Sequence, residues 1–235
     1  MGSSSRGATN YLAPFLLTEL LLLPLLAGAP AGRIVNVVSE FYGRKLDLGN
    51  LQGERKYSYF GAYRASKLGE VLFTTELARR IKGSGVTVVS VSPGPARTNF
   101  AMPSGVLGVV LGVMQHTPMF KPAGQAAGGI AWAATAPELA GNSGALYLRG
   151  KQLSLKGAAN DPSLAARVWR ISEQQTGVDP ARSAVAAVSA AGGPGAREAL
   201  ADNFVQTTHP PTPRAGTTSV EEAMNSAPAI GESNE

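Results

Sequence analysis

The sequence predicts an α/β fold built on a parallel sheet, and three observations carry that prediction. Residues 33–38 (Arg-Ile-Val-Asn-Val-Val) and 86–91 (Val-Thr-Val-Val-Ser-Val) are short β-branched runs of the kind that form buried strands. Each follows a segment with helical spacing, residues 10–26 and 63–82, and helix, strand, helix, strand is the rhythm of parallel strands joined by crossovers. The 235 residues, 44% hydrophobic and 16% charged, suffice for one or two domains with a substantial core and exclude a wholly disordered chain.

Residues 10–26 read as a helix apolar on most faces, as a helix packed within an α/β layer is. The leucine-rich run 20–26, behind Arg6 and ahead of Ala29-Pro30-Ala31, imitates a secretory signal that would leave a mature N-terminus near Gly32. Glu19 interrupts the wider apolar segment, and Tyr11 and Pro14 stand where a short basic region belongs, so a buried helix is favoured. No stretch reaches the roughly 18 apolar residues of a membrane span. The compartment is not written in the sequence, with a cytoplasmic one favoured. Residues 40–60, with Gly43, Gly49 and Gly53 among mixed charges, suit a long surface excursion. Helical spacing returns over 63–82, with Leu68, Val71, Leu72, Ala78 and Ile81 on period, and Gly83-Ser84-Gly85 ends it. The second strand then runs to Pro93-Gly94.

Beyond it, Pro122 opens a helix to about residue 134, and residues 145–148 (Ala-Leu-Tyr-Leu) suit a third strand. Asp161 and Pro162 supply an N-cap and first position for a helix carrying Leu164, Val168 and Ile171 on one face. From 179 to 235 the chain is rich in Ala, Gly, Pro, Ser and Thr and includes Pro210-Pro211-Thr212-Pro213. A disordered tail is expected there, behind a domain spanning 1–178.

Composition excludes several chemistries. With no Cys, there are no disulfides, thiol nucleophiles, iron–sulfur clusters or Cys-ligated zinc. His116 and His209 are the only imidazoles, which rules out a multi-histidine metal site. The net charge is +5, but the longest basic pairings are Arg44-Lys45, Arg55-Lys56 and Arg79-Arg80, so no nucleic-acid partner is expected. Acid/base work near neutral pH falls mainly to Tyr, Lys or a carboxylate.

Tyr63-Arg64-Ala65-Ser66-Lys67 sets a phenol and an ammonium four residues apart, hence on one helix face about one turn apart. A free tyrosine ionises near pH ~10, and a cation within about 4 to 6 Å lowers that by about 1 to 3 units, which lets such a Tyr serve as a general acid/base. In isolation the pattern is also a common helix surface pair. Its context sharpens it. Ser39 stands just after the first strand, and Pro93-Gly94-Pro95-Ala96-Arg97-Thr98 just after the second, both at the C-terminal rim where open α/β sheets bind ligands.

At this point the sequence resembles the short-chain dehydrogenase/reductase family, on its retinol-dehydrogenase-like and WW-domain-oxidoreductase-like side, over residues 10–177. The resemblance rests, in order, on Asn-Tyr-Leu-Ala-Pro-Phe-Leu-Leu-Thr, Arg-Ile-Val-Asn-Val-Val-Ser, Ala-Tyr-Arg-Ala-Ser-Lys-Leu, Ser-Pro-Gly-Pro-Ala-Arg-Thr and Ala-Arg-Val-Trp-Arg-Ile-Ser-Glu-Gln-Gln-Thr-Gly. It implies the C-terminal part of a Rossmann-like doubly wound sheet. It also implies an NADP- or NAD-dependent oxidoreductase that interconverts an alcohol and a carbonyl, with apolar substrates such as retinoids or steroids among the candidates, and association into homo-oligomers. By the same resemblance Tyr63 is the proton donor or acceptor at the substrate oxygen. Lys67 lowers the proton affinity of that phenol and holds the nicotinamide ribose, Ser39 hydrogen-bonds the substrate oxygen, and Asn10 supports a water relay to Lys67. Pro93, Gly94, Ala96 and Thr98 match the loop around the nicotinamide. Read without the family, Ser39 is a turn residue and Asn10 and Thr98 are helix caps. The family's usual serine pair is reduced here to Ser39, with Val38 in the first position.

The sequence also departs from the family. Members open with a strand and a Gly-x-x-x-Gly-x-Gly turn that receives the dinucleotide pyrophosphate, and the nine residues before Asn10 do not contain it. The Asn-Asn-Ala-Gly segment and the residue that selects NAD or NADP are missing too. The strand at 33–38 is therefore expected to have an open apolar edge, the helix at 10–26 to expose leucines such as Leu20 to Leu23, and the chain to be marginal alone. Two functions stay open: an enzyme represented by its catalytic part, or a non-catalytic fragment that binds longer relatives through the helices at 10–26 and 63–82, the family's usual dimerisation faces.

Overall fold

A computed structural model of the chain describes residues 7–28, 32–51, 58–97, 112–113, 116–117 and 120–179. The expected tail, Thr98 and most of the segment after it lie outside the described residues. A π-helical turn, Ala8–Leu12, leads into helix α1, Ala13–Gly28. Strand β1, Arg33–Val37, is followed by helix α2, Tyr59–Arg80, and strand β2, Thr87–Ser92. Two-residue strands β3, Ala96–Arg97, and β4, Lys121–Pro122, pair with each other. Helix α3, Ala123–Thr135, strands β5, Leu146–Leu148, and β6, Lys151–Leu153, and helix α4, Pro162–Thr176, complete the order.

The main sheet runs β1-β2-β5-β6. β1 and β2 pair in parallel from Arg33 with Thr87 to Val37 with Val91, and β2 pairs in parallel with β5. Alternation along β2 assigns its two faces. Val88 packs into a large cluster with α1, α2 and α4, and Ser90 bonds Thr74 on α2 at 2.8 Å. Val89 and Val91 face α3 through Ala133 and Ala136. Helices thus cover both faces, and every residue of β2 is buried, as a central parallel strand requires.

The larger core centres on Trp169. Its ring stacks on Phe73 at 5.6 Å between centroids, meets Phe15 edge-on at 5.1 Å, and lies 4.3 Å beneath the Arg80 guanidinium. Trp169 Nε1 donates to Glu173 at 2.6 Å, so the indole is buried without an orphaned donor. The helix at 10–26 is indeed core material: Phe15, Glu19, Leu22 and Leu26 are all buried.

Three expectations change in detail. α2 begins at Tyr59 rather than Tyr63, because the Ser58 hydroxyl accepts from Gly61 N at 3.4 Å and starts the helix one turn earlier. The third strand turns straight back as the antiparallel β6 through Arg149 and Gly150, at φ 51° and 76°, a two-residue hairpin turn that needs positive φ at both positions. Leu20 and Leu21 are exposed as expected, at 44% and 56%, but Leu22, on the opposite side of the turn, is buried at 2%. Among the described residues β1 is the margin of the sheet, with no strand on its outer side.

Candidate active site

Lys67 projects from α2 to the C-terminal end of β1, where its Nζ donates to the Val37 carbonyl at 3.0 Å. Two residues further on is Ser39, buried at 7%, whose hydroxyl accepts from Phe41 N at 3.1 Å and so bends the chain away from the sheet. Tyr63 lies one turn before Lys67 on the same helix and is partly exposed. The Arg64 carbonyl between them accepts from Gly43 N at 2.8 Å, which fastens the segment after β1 to this part of α2.

Asn10 reaches the helix from the other side. It sits within the π turn, a rare backbone form that gathers at functional sites. Its amide donates to Ser66 Oγ at 3.4 Å, and Ser66 Oγ donates to the Tyr63 carbonyl at 2.8 Å. The π turn can come this close because residue 69 is glycine: a Cβ there would lie 3.1 Å from the Tyr11 ring. Tyr11 is anchored in turn by Ser172 of α4 at 2.7 Å, and burial pushes its phenol far above the ordinary tyrosine range, so it remains neutral.

The loop after β2 joins the same rim. Ser92 Oγ donates to Glu40, the residue after Ser39, and accepts from Gly94 N at 3.3 Å. This short chain of bonds ties Ser39 to the Pro93-Gly94 turn. Gly94 has φ +74°, and a Cβ there would lie 3.5 Å from Leu148 and 3.7 Å from the Arg149 guanidinium. Ala96 continues into β3, opposite Lys121. A cleft of about 310 Å³ opens beside the turn, lined by Ser92, Pro93, Gln125, Trp132, Arg149 and Gly150.

The structure therefore brings Lys67, Ser39, Pro93 and Gly94 to one end of β1 and β2, places Tyr63 on the helix that carries Lys67, and links Asn10 to that helix through Ser66. It does not place Thr98, which lies outside the described residues. Sequence reasoning passed over Glu70, which is buried and sits 2.8 Å from Lys67 Nζ. Its spacing of three residues from Lys67, the ion-pair spacing of a helix, was the available signal. Burial raises its carboxyl to about 7, against the lowering pull of Lys67. Ser66, Tyr11, Gly69 and Glu40 were also missed, because their roles depend on contacts between elements distant in sequence.

A cation and a tight glycine turn stand at the C-terminal end of β1 and β2, with a phenol one turn before the cation on α2, residue types that suit the nicotinamide end of a dinucleotide. Among the described residues no strand is followed by a glycine-rich turn and helix suited to a pyrophosphate, since β1 runs into Ser39-Glu40 and β2 into Pro93-Gly94.

Comparison with known proteins agrees with the fold. The short chain dehydrogenase family model matches residues 6–105. Retinol dehydrogenase 13 of Homo sapiens is 38% identical over 184 residues, covering 76% of this chain and 55% of that protein. Retinol dehydrogenase 14 of Homo sapiens is 36% identical over 180 residues, covering 75% and 53%. A crystal structure of an uncharacterized protein from Mycobacterium paratuberculosis superposes with a TM-score of 0.55 at 28% identity, covering 74% of this chain and 59% of that one. The similarity is thus to the short-chain dehydrogenase/reductase family. Within it the likeness is to retinol dehydrogenases, and the chain spans a little over half the length of these relatives. Among the described residues no helix is long and apolar enough to cross a membrane.

Proposed function

We propose that the chain carries the catalytic part of an NAD- or NADP-dependent oxidoreductase acting on an alcohol or carbonyl, with an apolar small molecule as substrate. The observation that carries this reading is the Lys67 amine held 3.0 Å from the β1 terminus, which sets it beside Ser39 while Tyr63 occupies the same helix face one turn away. When bound, the nicotinamide would supply or accept the hydride. Tyr63 gives or takes the proton at the substrate oxygen, Lys67 favours the phenolate by its charge and binds the ribose, and Ser39 donates to the substrate oxygen. Asn10 belongs to the proton path to Lys67, through its tie to Ser66. Pro93, Gly94, Ala96 and Thr98 would border the nicotinamide. Retinol dehydrogenases are the named relatives, which favours an apolar alcohol.

The test is nicotinamide turnover, followed by absorbance, with retinol and retinaldehyde as probe substrates. Tyr63→Phe should lower it by about 100-fold or more, with nucleotide affinity nearly unchanged. Retained activity in Tyr63→Phe removes Tyr63 from its role.

A second reading is a non-catalytic chain that associates with longer relatives through α1 and α2. The exposed leucines Leu17, Leu20 and Leu21, at 58%, 44% and 56%, favour it. Absence of turnover together with a stable complex with a longer relative would select it.

A further inference from the structure

Glu70 is a buried charged group in contact with Lys67 that has no role in the proposed machinery. Its side chain is 9% exposed, and one carboxylate oxygen lies 2.8 Å from Lys67 Nζ, whose own side chain is 15% exposed. The same amine donates to the Val37 carbonyl at 3.0 Å. Lys67 is thus shared between a fixed acceptor and a titratable one. An ammonium so engaged offers less of its field to Tyr63, because a neighbouring carboxylate offsets it.

The surroundings leave Lys67 as the charge that governs Glu70. From the π turn, Tyr11 faces it and stays neutral through burial. β1 contributes the Val37 carbonyl, and Asn36, whose amide donates to Thr74 at 2.9 Å; its one charged residue, Arg33, is engaged at the far end with the Ala133 and Ala136 carbonyls. β2 has no charged residue, and its Ser90 is bonded to Thr74. From α4, Ser172 is committed to Tyr11 and Glu173 to Trp169, and Arg80 lies 4.0 Å from Glu173. On α2 itself, Glu76 is engaged by Arg79 and Arg80. A buried carboxyl poised near 7 by desolvation changes charge within the range where a dehydrogenase works.

We propose that Glu70 is a positioning residue for Lys67: ionised, it holds the ammonium against the end of β1 and damps its influence on Tyr63, and protonated, it frees the ammonium for the phenol and the ribose. This rests on the Tyr63–Lys67 reading above and adds a control on it.

The experiment is a pH titration of the ultraviolet phenolate absorbance of the whole chain. The Tyr63 contribution is isolated as the difference between each protein and its Tyr63→Phe counterpart. Glu70→Gln should lower the midpoint of that contribution by roughly one pH unit, and Glu70→Asn, a second neutral variant, should move it the same way. Lys67→Met added to Glu70→Gln should return the midpoint to the wild-type value or above. An unchanged midpoint in both neutral variants, with the Lys67→Met effect present, overturns the role of Glu70 and leaves the Tyr63–Lys67 pair standing. A midpoint insensitive to Lys67→Met as well overturns the pair itself, and Glu70 with it.

Discussion

At the scale of single residues, Glu70 and Gly69 are the sharpest reporters. Because burial raises the Glu70 carboxyl from 4.5 to about 7, the folded chain binds that proton more tightly than the unfolded one. Stability is then fullest below about pH 4.5 and falls as the pH rises to about 7, by up to about 3 kcal/mol at about 1.4 kcal/mol per unit. Urea denaturation at a series of pH values should show this decline in the wild type and a flatter profile in Glu70→Gln; parallel profiles would contradict it. Gly69→Ala puts a methyl 3.1 Å from the Tyr11 ring. Overpacking of this kind costs about 1 to 3 kcal/mol, against about 1 kcal/mol gained in helix propensity, so the denaturation midpoint should fall modestly; a rise would mean that the π turn moves away freely. Much of the candidate site was legible at this scale. Tyr63 and Lys67 announce themselves by a four-residue spacing on a helix, and Ser39 and Gly94 by standing at strand ends. Glu70, Gly69, Ser66 and Tyr11 did not, because a buried carboxylate or a required glycine is defined by what packs against it.

At the scale of elements, α2 and α4 organise the molecule. α4 is bounded by an Asp161 side chain that accepts from Leu164 N at 3.0 Å, which its sequence forecasts, and by Gly177 at φ 69°, a left-handed C-cap that the structure adds. Through Trp169 it locks Phe15 of α1 and Phe73 of α2 together, so Trp169→Ala should cost about 3 to 5 kcal/mol in chemical denaturation. A loss under about 1 kcal/mol would mean that this cluster is not the centre of the core. The regular elements were legible because periodicity, caps and β-branched runs are local. The β5–β6 hairpin was not: its turn is Arg149-Gly150 rather than Asn-Gly, and only the pairing of Leu146 with Leu153 reveals it.

At the scale of the whole molecule, β1 as the sheet margin and the exposed Leu17, Leu20 and Leu21 leave an open strand edge and apolar side chains on the described part. Sedimentation velocity should find association, and heating should give a broad transition; a monomer with a sharp cooperative melt would contradict this. The open margin of β1 among the described residues is what the sequence pattern foresees. The central claim is that Lys67 and Tyr63 stand at a nicotinamide site. Its most direct test is the fluorescence of NADH and NADPH titrated to millimolar concentration with wild type and Lys67→Met. The account predicts enhancement by the wild type and at least about tenfold weaker binding by Lys67→Met, the loss of one charge-assisted contact. No enhancement, or equal enhancement by both proteins, would contradict it.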